Sequence, residues 1–246
     1  MKNILKGVST VPSNNIDKKK IKKETEKYIA IIRERQHILY AQSKYSLLII
    51  FQGLDGSGKD GATRTVFSSV NPQGVSVTSF KKPSELELSY NFMWRINREI
   101  PQKGMIKIFN RSHYEDVLVP VVEKWIDKKQ TKKRFAHINS FETLLEESGT
   151  KILKFYLHIS EEEQTTRFKE RLTDPLKNWK FNPSDIETAK KWPEYRAAYQ
   201  DIFSNCNIIP WEVVPADKNW YKEYIIAKRV AKTLLAFDLS FPNLVK

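Results

Sequence analysis

The sequence predicts an α/β protein in which a mostly parallel, five-stranded sheet is covered by helices on both faces. Two observations lead there. Five short runs rich in β-branched or apolar residues alternate with longer runs of helical period, a pattern that requires crossover connections and therefore parallel pairing. The first of these runs leads directly into Gly53-Leu54-Asp55-Gly56-Ser57-Gly58-Lys59-Asp60. That glycine-rich stretch reads G-x-x-x-x-G-K, the phosphate-binding loop that joins a strand to a helix. With 246 residues, 40% of them hydrophobic, and six Trp, the chain can build one substantial core. Residues 1–246 are accordingly read as a single domain.

In chain order, residues 1–15 read as a loose polar tail. From Ile16 to about Lys44, Ile21, Tyr28, Ile29, Ile32, Ile38 and Leu39 recur at helical spacing. They predict one amphipathic helix that packs on the body or on another subunit. Strands are expected at 46–52, 75–79, 105–109, 152–158 and 211–214. Helices are expected around 58–70, 85–99, 113–126, 134–147, 161–172, 194–205 and 218–236. Residues 174–192 (DPLKNWKFNPSDIETAKKW) are too polar and interrupted for core and read as a mobile lid. In such a sheet, ligands sit at the carboxyl ends of the strands, where the loop already lies.

The loop carries the chemistry most directly. Its glycines, Gly56 and Gly58 among them, let backbone N–H groups turn around phosphate oxygens, while Lys59 reaches the transferable phosphates. A helix starting near Gly58 adds its positive end to the same site. Asp60 stands where Ser or Thr normally holds magnesium. Carboxylates must take over that duty, and Asp55 and Asp60 are in the loop itself; one or two carboxylates with phosphate oxygens and waters suit Mg2+.

Forty-two basic against 29 acidic residues give a net charge of +13, which points to an anionic partner. Nucleic acid, an acidic membrane and a phosphate polymer all fit that balance. Lys18-Lys19-Lys20, Lys22-Lys23, Lys128-Lys129 and Lys132-Lys133 lie in polar runs and read as solvated surface. Nothing resembles a recognition helix, an aromatic sheet code or a zinc module, so specific nucleic-acid binding is not expected. The single cysteine, Cys206, rules out an internal disulfide and reads as buried packing. The N-terminus lacks the apolar run of a signal peptide and no stretch approaches a membrane span, so a cytoplasmic location is expected.

The strand expected at 105–109 ends in Asn110-Arg111-Ser112-His113-Tyr114-Glu115-Asp116. A strand end of this kind faces the loop, so Arg111 can neutralise a phosphoryl group in transfer. Glu115 and Asp116 are left open between holding magnesium and reading the acceptor nucleotide. His113 reads as structural. Candidate groove cations are Arg64, Lys81, Lys82, Arg95, Arg98 and Lys103.

The loop and this run resemble the polyphosphate kinase 2 family. So do Asn71-Pro72-Gln73-Gly74, Thr78-Ser79-Phe80-Lys81-Lys82-Pro83-Ser84, Trp94-Arg95-Ile96, Asp174-Pro175-Leu176-Lys177-Asn178-Trp179-Lys180 and Pro210-Trp211-Glu212-Val213-Val214-Pro215-Ala216-Asp217. The resemblance covers nearly everything from residue 40 to 235. It implies a three-layer α/β/α sandwich of the P-loop kinase type with a helical lid. It also implies magnesium-dependent, reversible phosphoryl transfer between inorganic polyphosphate and nucleotides. Carried over by position, Asp55, Lys59 and Arg111 are the catalytic set, with Asp55 and Asp116 as metal candidates. Gly56, Gly58, Asp60, Arg64, Lys81, Arg95, Arg171, Lys177 and Lys180 are expected on the phosphates, and Glu115, Asn110 and Arg167 on the nucleotide. Many members have Asp where this chain has Asn110, which shifts the metal burden to Asp55 and Asp116. The version N-R-S-H-Y-E-D is similar to the branch that accepts nucleoside mono- and diphosphates. The resemblance thus implies AMP and ADP, or their guanine counterparts, as partners, and a homo-oligomer, dimer or tetramer. The competing reading is an ATP-dependent nucleoside monophosphate kinase of the thymidylate kinase type, whose loop is similar; Asp60 and the later blocks argue against it.

Overall fold

Strand β1 (Ser46–Gln52) is buried along its whole length, as a central strand must be when helices cover both faces of a parallel sheet. It lies between β3 (Ile106–Asn110) and β4 (Thr150–His158), with Phe51 opposite both Asn110 and Phe155. Strands β2 (Val75–Ser79) and β5 (Trp211–Pro215) form the edges, in the order β2-β3-β1-β4-β5, and every pairing is parallel. This is the sheet the sequence predicts, strand for strand. The computed structural model describes residues 4–181 and 188–243.

The helices are α1 (Lys18–Gln42), α2 (Lys59–Val66), α3 (Glu85–Leu88), α4 (Trp94–Asn97), α5 (Glu115–Val122), α6 (Lys128–Glu147), α7 (Glu161–Thr173), α8 (Trp192–Asn205) and α9 (Asn219–Ala236). Together they flank the sheet on both sides and complete the three-layer α/β/α arrangement. Among the described residues no helix is long and apolar enough to cross a membrane.

Two expectations need correcting. The helix expected at 85–99 is two short helices, α3 and α4. Between them the Asn91 side chain accepts the N–H of Met93 and Ser89 Oγ donates to Leu86 O, local bonds that compete with a continuous helix. The N-terminal tail is not loose: Leu5 is buried in the core, Ile4 N donates to Gln200 Oε1, and Asp217 N donates to Thr10 O. The apolar stripe of α1 packs on the body, as one of the two expected arrangements has it. Ile32 and Leu39 are fully buried, Tyr28 meets Tyr224 of α9, and Arg35 donates to Leu234 O and Phe237 O. Of the expected lid, Asn178–Lys180 forms a 3-10 turn and residues 188–190 are helical; residues 182–187 lie outside the described residues.

Candidate active site

The C-terminal ends of adjacent strands β1 and β3 open onto one cleft of about 1150 Å3. The loop after β1 supplies Gly53, Leu54 and Asp55 to its wall; the end of β3 and the start of α5 supply Arg111, Glu115 and Asp116. Lys81, Lys82 and Arg95 form a basic flank, and Tyr195 and Tyr199 of α8 close the opposite side.

Glycine is required at two loop positions. Gly53 has φ +149° and Gly58 has φ +87°, and a Cβ on Gly58 would come within 2.3 Å of Lys222 Nζ. The loop ends at the N-terminus of α2, so the unsatisfied N–H groups of its first turn belong to the site. Lys59 curls back inside the loop, its Nζ donating to Gly53 O at 2.8 Å and to Leu54 O at 3.3 Å. Burial, with the nearby Arg111 charge, brings the Lys59 ammonium down to about 8.

Arg111 sits at φ +62°, left-handed backbone that a non-glycine residue adopts at a cost. Its N–H donates to Phe51 O at 3.0 Å, so the turn is anchored on β1. That twist directs the guanidinium to the Asp55 carboxylate, to which it donates. Burial acts to raise the Asp55 carboxyl, but the charges of Arg111 and Lys59 outweigh it and hold the group below its usual range. Glu115 is raised, because burial outweighs the same two cations. Two neighbouring carboxyl groups are thus pushed in opposite directions.

Asp116 is occupied differently. Its Oδ2 accepts from Arg95 Nη2 at 3.1 Å, and burial raises its carboxyl. Pro120, four residues on in α5, has no N–H to give the Asp116 carbonyl; Arg134 Nη1 donates there instead, at 2.6 Å. Arg95 is itself buried, held also by Lys81 O at 2.9 Å. Asn110 donates to Asp60 and so ties the end of β3 to the start of α2.

The remaining predicted residues divide by position. Arg167 lies behind the loop, with Nε on Glu163, Nη1 on Gly56 O at 2.8 Å, and Nη2 on Ala216 O and Asp217 O. Arg171 packs its guanidinium over Phe168 and adds positive charge felt by Asp55. Arg64 is exposed on α2. Lys177 pairs with Glu170 and Asp174, and Lys180 lies over Trp179, both outside the cleft wall. His113 is buried against Glu142. Cys206 is buried, and burial pushes its thiol up to about 12, as an inert packing residue requires.

Sequence reasoning missed Tyr199, whose hydroxyl accepts the Gly53 N–H at 3.1 Å, and Gln164 and Lys222, which reach the loop from behind. No periodicity or spacing marks them; only the packing of α7, α8 and α9 around the loop brings them there.

Residues 15–239 match the family model described as polyphosphate kinase 2. The chain belongs to the polyphosphate kinase 2 family. It is 42% identical over 221 residues to the AMP/ADP-polyphosphate phosphotransferase of Meiothermus ruber, covering 87% of this chain and 83% of that one. It is 39% identical over 226 residues to the ADP-polyphosphate phosphotransferase of Rhodopseudomonas palustris, covering 86% and 78%. The crystal structure of polyphosphate kinase 2 from Arthrobacter aurescens TC1 superposes with a TM-score of 0.94 at 37% identity, over 98% of this chain and 88% of that one. The family's fold is therefore this fold, and the membership read from the loop and the Asn110–Asp116 run is shown.

The cleft also suits a magnesium ion of a particular kind. Among the described residues no group of three or more His, Cys, Asp or Glu could cage a metal. One ionised carboxylate, Asp55, stands beside a phosphate-binding loop, and magnesium is commonly held by one or two carboxylates together with substrate phosphates. The donor set fits an ion that arrives with phosphate.

Proposed function

We propose that this protein transfers a phosphoryl group between inorganic polyphosphate and AMP or ADP, reversibly and with Mg2+. One observation carries the reading: Arg111 and Asp55 converge over a loop built for phosphate, in a cleft flanked by further cations. The printed activity of the Meiothermus ruber relative supports the same substrates. An ATP-dependent nucleoside monophosphate kinase is not favoured, because the similar proteins are named as polyphosphate phosphotransferases.

Phosphoryl transfer needs alignment and charge neutralisation more than covalent chemistry. The loop's N–H groups and Lys59 hold the donor phosphates, and Arg111 neutralises charge on the phosphoryl group in transfer. An acceptor nucleotide phosphate attacks with an oxygen that is already anionic, so no strong general base is needed. Glu115, whose carboxyl is raised by burial, stands in the same cleft wall as Arg111. Asp55 would hold magnesium, which would supply further neutralisation of the phosphate charge. Asp116 orients Arg95 in the basic flank, and Lys81 and Lys82 lie along the path of an incoming polyanion.

The test is direct. Purified protein is mixed with magnesium, polyphosphate and either AMP or ADP, and nucleotides are followed by chromatography. ADP and ATP forming from AMP only when polyphosphate is present is the expected result. ATP from ADP alone would restrict the acceptor to diphosphates, and no product from either would overturn the proposal.

A further inference from the structure

Behind the phosphate loop, consecutive backbone carbonyls are each taken by a side chain from another part of the fold. Asp55 O accepts from Gln164 Nε2 at 2.7 Å and Gly56 O from Arg167 Nη1 at 2.8 Å, both from α7. From α9, Lys222 Nζ donates to Gly58 O at 3.1 Å and approaches Ser57 O at 3.5 Å. The third direction of that ammonium is filled by Asn219 Oδ1 at 2.9 Å. Gln164 and Lys222 are both buried.

A peptide unit carries its N–H and C=O on opposite sides, so a carbonyl pinned outward turns its N–H inward; opposite Gly56 O that N–H, of Ser57, closes the loop on Leu54 O at 3.1 Å. A phosphate loop works through inward N–H groups. Lys222 is a costly residue for mere packing: burial and the neighbouring charges of Arg167 and Lys59 all oppose its proton. An apolar side chain would fill the space without that penalty, but could not hold the carbonyls.

We propose that Gln164 and Lys222 are positioning residues of the phosphate loop, which fix from outside the direction of peptide groups that receive phosphate. The kinetic consequence rests on the polyphosphate-transfer reading; the ordering of the loop does not.

Three variants of the full chain test it: Gln164→Leu, Lys222→Met and Lys222→Arg. Hydrogen exchange is read first, since it needs no activity. Amides of residues 55–59 should exchange about tenfold faster in Gln164→Leu and Lys222→Met, while β1 and β4 stay protected as in wild type. Polyphosphate kinetics follow. In these two variants kcat/KM for polyphosphate should fall roughly 10- to 100-fold, with KM for the nucleotide changed less than about threefold. Lys222→Arg should recover most of the loss, because a guanidinium can also donate to two carbonyls. Wild-type loop exchange and kinetics in folded variants would overturn the proposal. So would loss of protection throughout the sheet in Gln164→Leu, which would make that residue a core element. If Lys222→Met fails to fold, Gln164→Leu and Lys222→Arg decide. Wild-type protein inactive with polyphosphate would sink the proposed reaction, yet the exchange result would still decide the loop's ordering.

Discussion

Arg111, at the end of β3, donates to the Asp55 carboxylate in the loop after β1, 56 residues earlier in the chain. The pair couples the phosphate loop to the run that carries Glu115 and Asp116. Each partner sets the other's state: the guanidinium holds the Asp55 carboxyl below its usual range, and the Asp55 and Glu115 carboxylates outweigh burial and keep Arg111 charged throughout the working pH range.

Arg111→Ala removes this charge from the cleft. Loss of a single preorganised donor to a developing charge costs about 10²–10³ in kcat, and that is the fall expected here. The melting temperature should change little, because the backbone turn is held by Arg111 N on Phe51 O, which alanine keeps. Kinetics and a thermal melt on the same preparation check both statements.

Asp55→Asn keeps the shape and removes the negative charge. If Asp55 holds magnesium with the substrate phosphates, the magnesium concentration giving half-maximal rate should rise by about tenfold or more, in keeping with the loss of a carboxylate ligand. An unchanged magnesium titration would remove Asp55 from the metal. Asp116→Asn should move that midpoint less, since Asp116 stands with Arg95 in the basic flank rather than in the phosphate loop.

The strands, the loop and the strand-end arginine were legible because each is written locally. An apolar run, a glycine pattern and a residue at the end of a run fix position along the chain, and the sheet then sets them side by side. Arg167 and Lys222 were not legible in this way. Arg167 precedes the lid in sequence, yet α7 follows β4, which pairs with β1, and that topology sets Arg167 behind the loop. Lys222 is 164 residues from Gly58 and arrives only through the β5–α9 connection. Arg64 shows the reverse limit: Ala62 and Val66 mark the buried face of α2, and Arg64, two residues from each, points away from it.

Beneath α5, Lys154 Nζ donates to Glu142 Oε2 at 2.7 Å, to Tyr114 OH at 2.8 Å and to Cys206 O at 3.0 Å. Both charged side chains have no solvent exposure. Removing one member strands the other, at a cost of about 3–5 kcal/mol for a buried pair. Lys154→Met should therefore lower the melting temperature by roughly 10 °C or more in a chain of this size. The double variant Lys154→Met/Glu142→Gln should recover part of that loss, since no unpaired charge remains. A double variant less stable than the sum of the two single changes would contradict this account.

Lys222 gives the protein a pH signature of its own. Burial first, then the charge of Arg167 on α7 and, less strongly, that of Lys59 on α2, bring its ammonium from 10.5 to about 7 against the opposing pull of Glu223 and Glu163. Below pH 7 the proton is present in both folded and unfolded chains, and its full penalty bears on the fold. Between about 7 and 10.5 the unfolded chain binds the proton and the folded one releases it, so stability rises with pH across that window. Tyr156 and Tyr199, both raised by burial, act in the opposite sense only above the ordinary tyrosine range near 10. The melting temperature of the ligand-free protein should accordingly climb from pH 7 to pH 9, measured in buffers of equal ionic strength. In Lys222→Met the climb should be smaller and begin nearer pH 8, because Lys222 no longer titrates and Lys59, brought down to about 8, still does. Parallel curves for the two proteins would show that Lys222 keeps its proton in the fold.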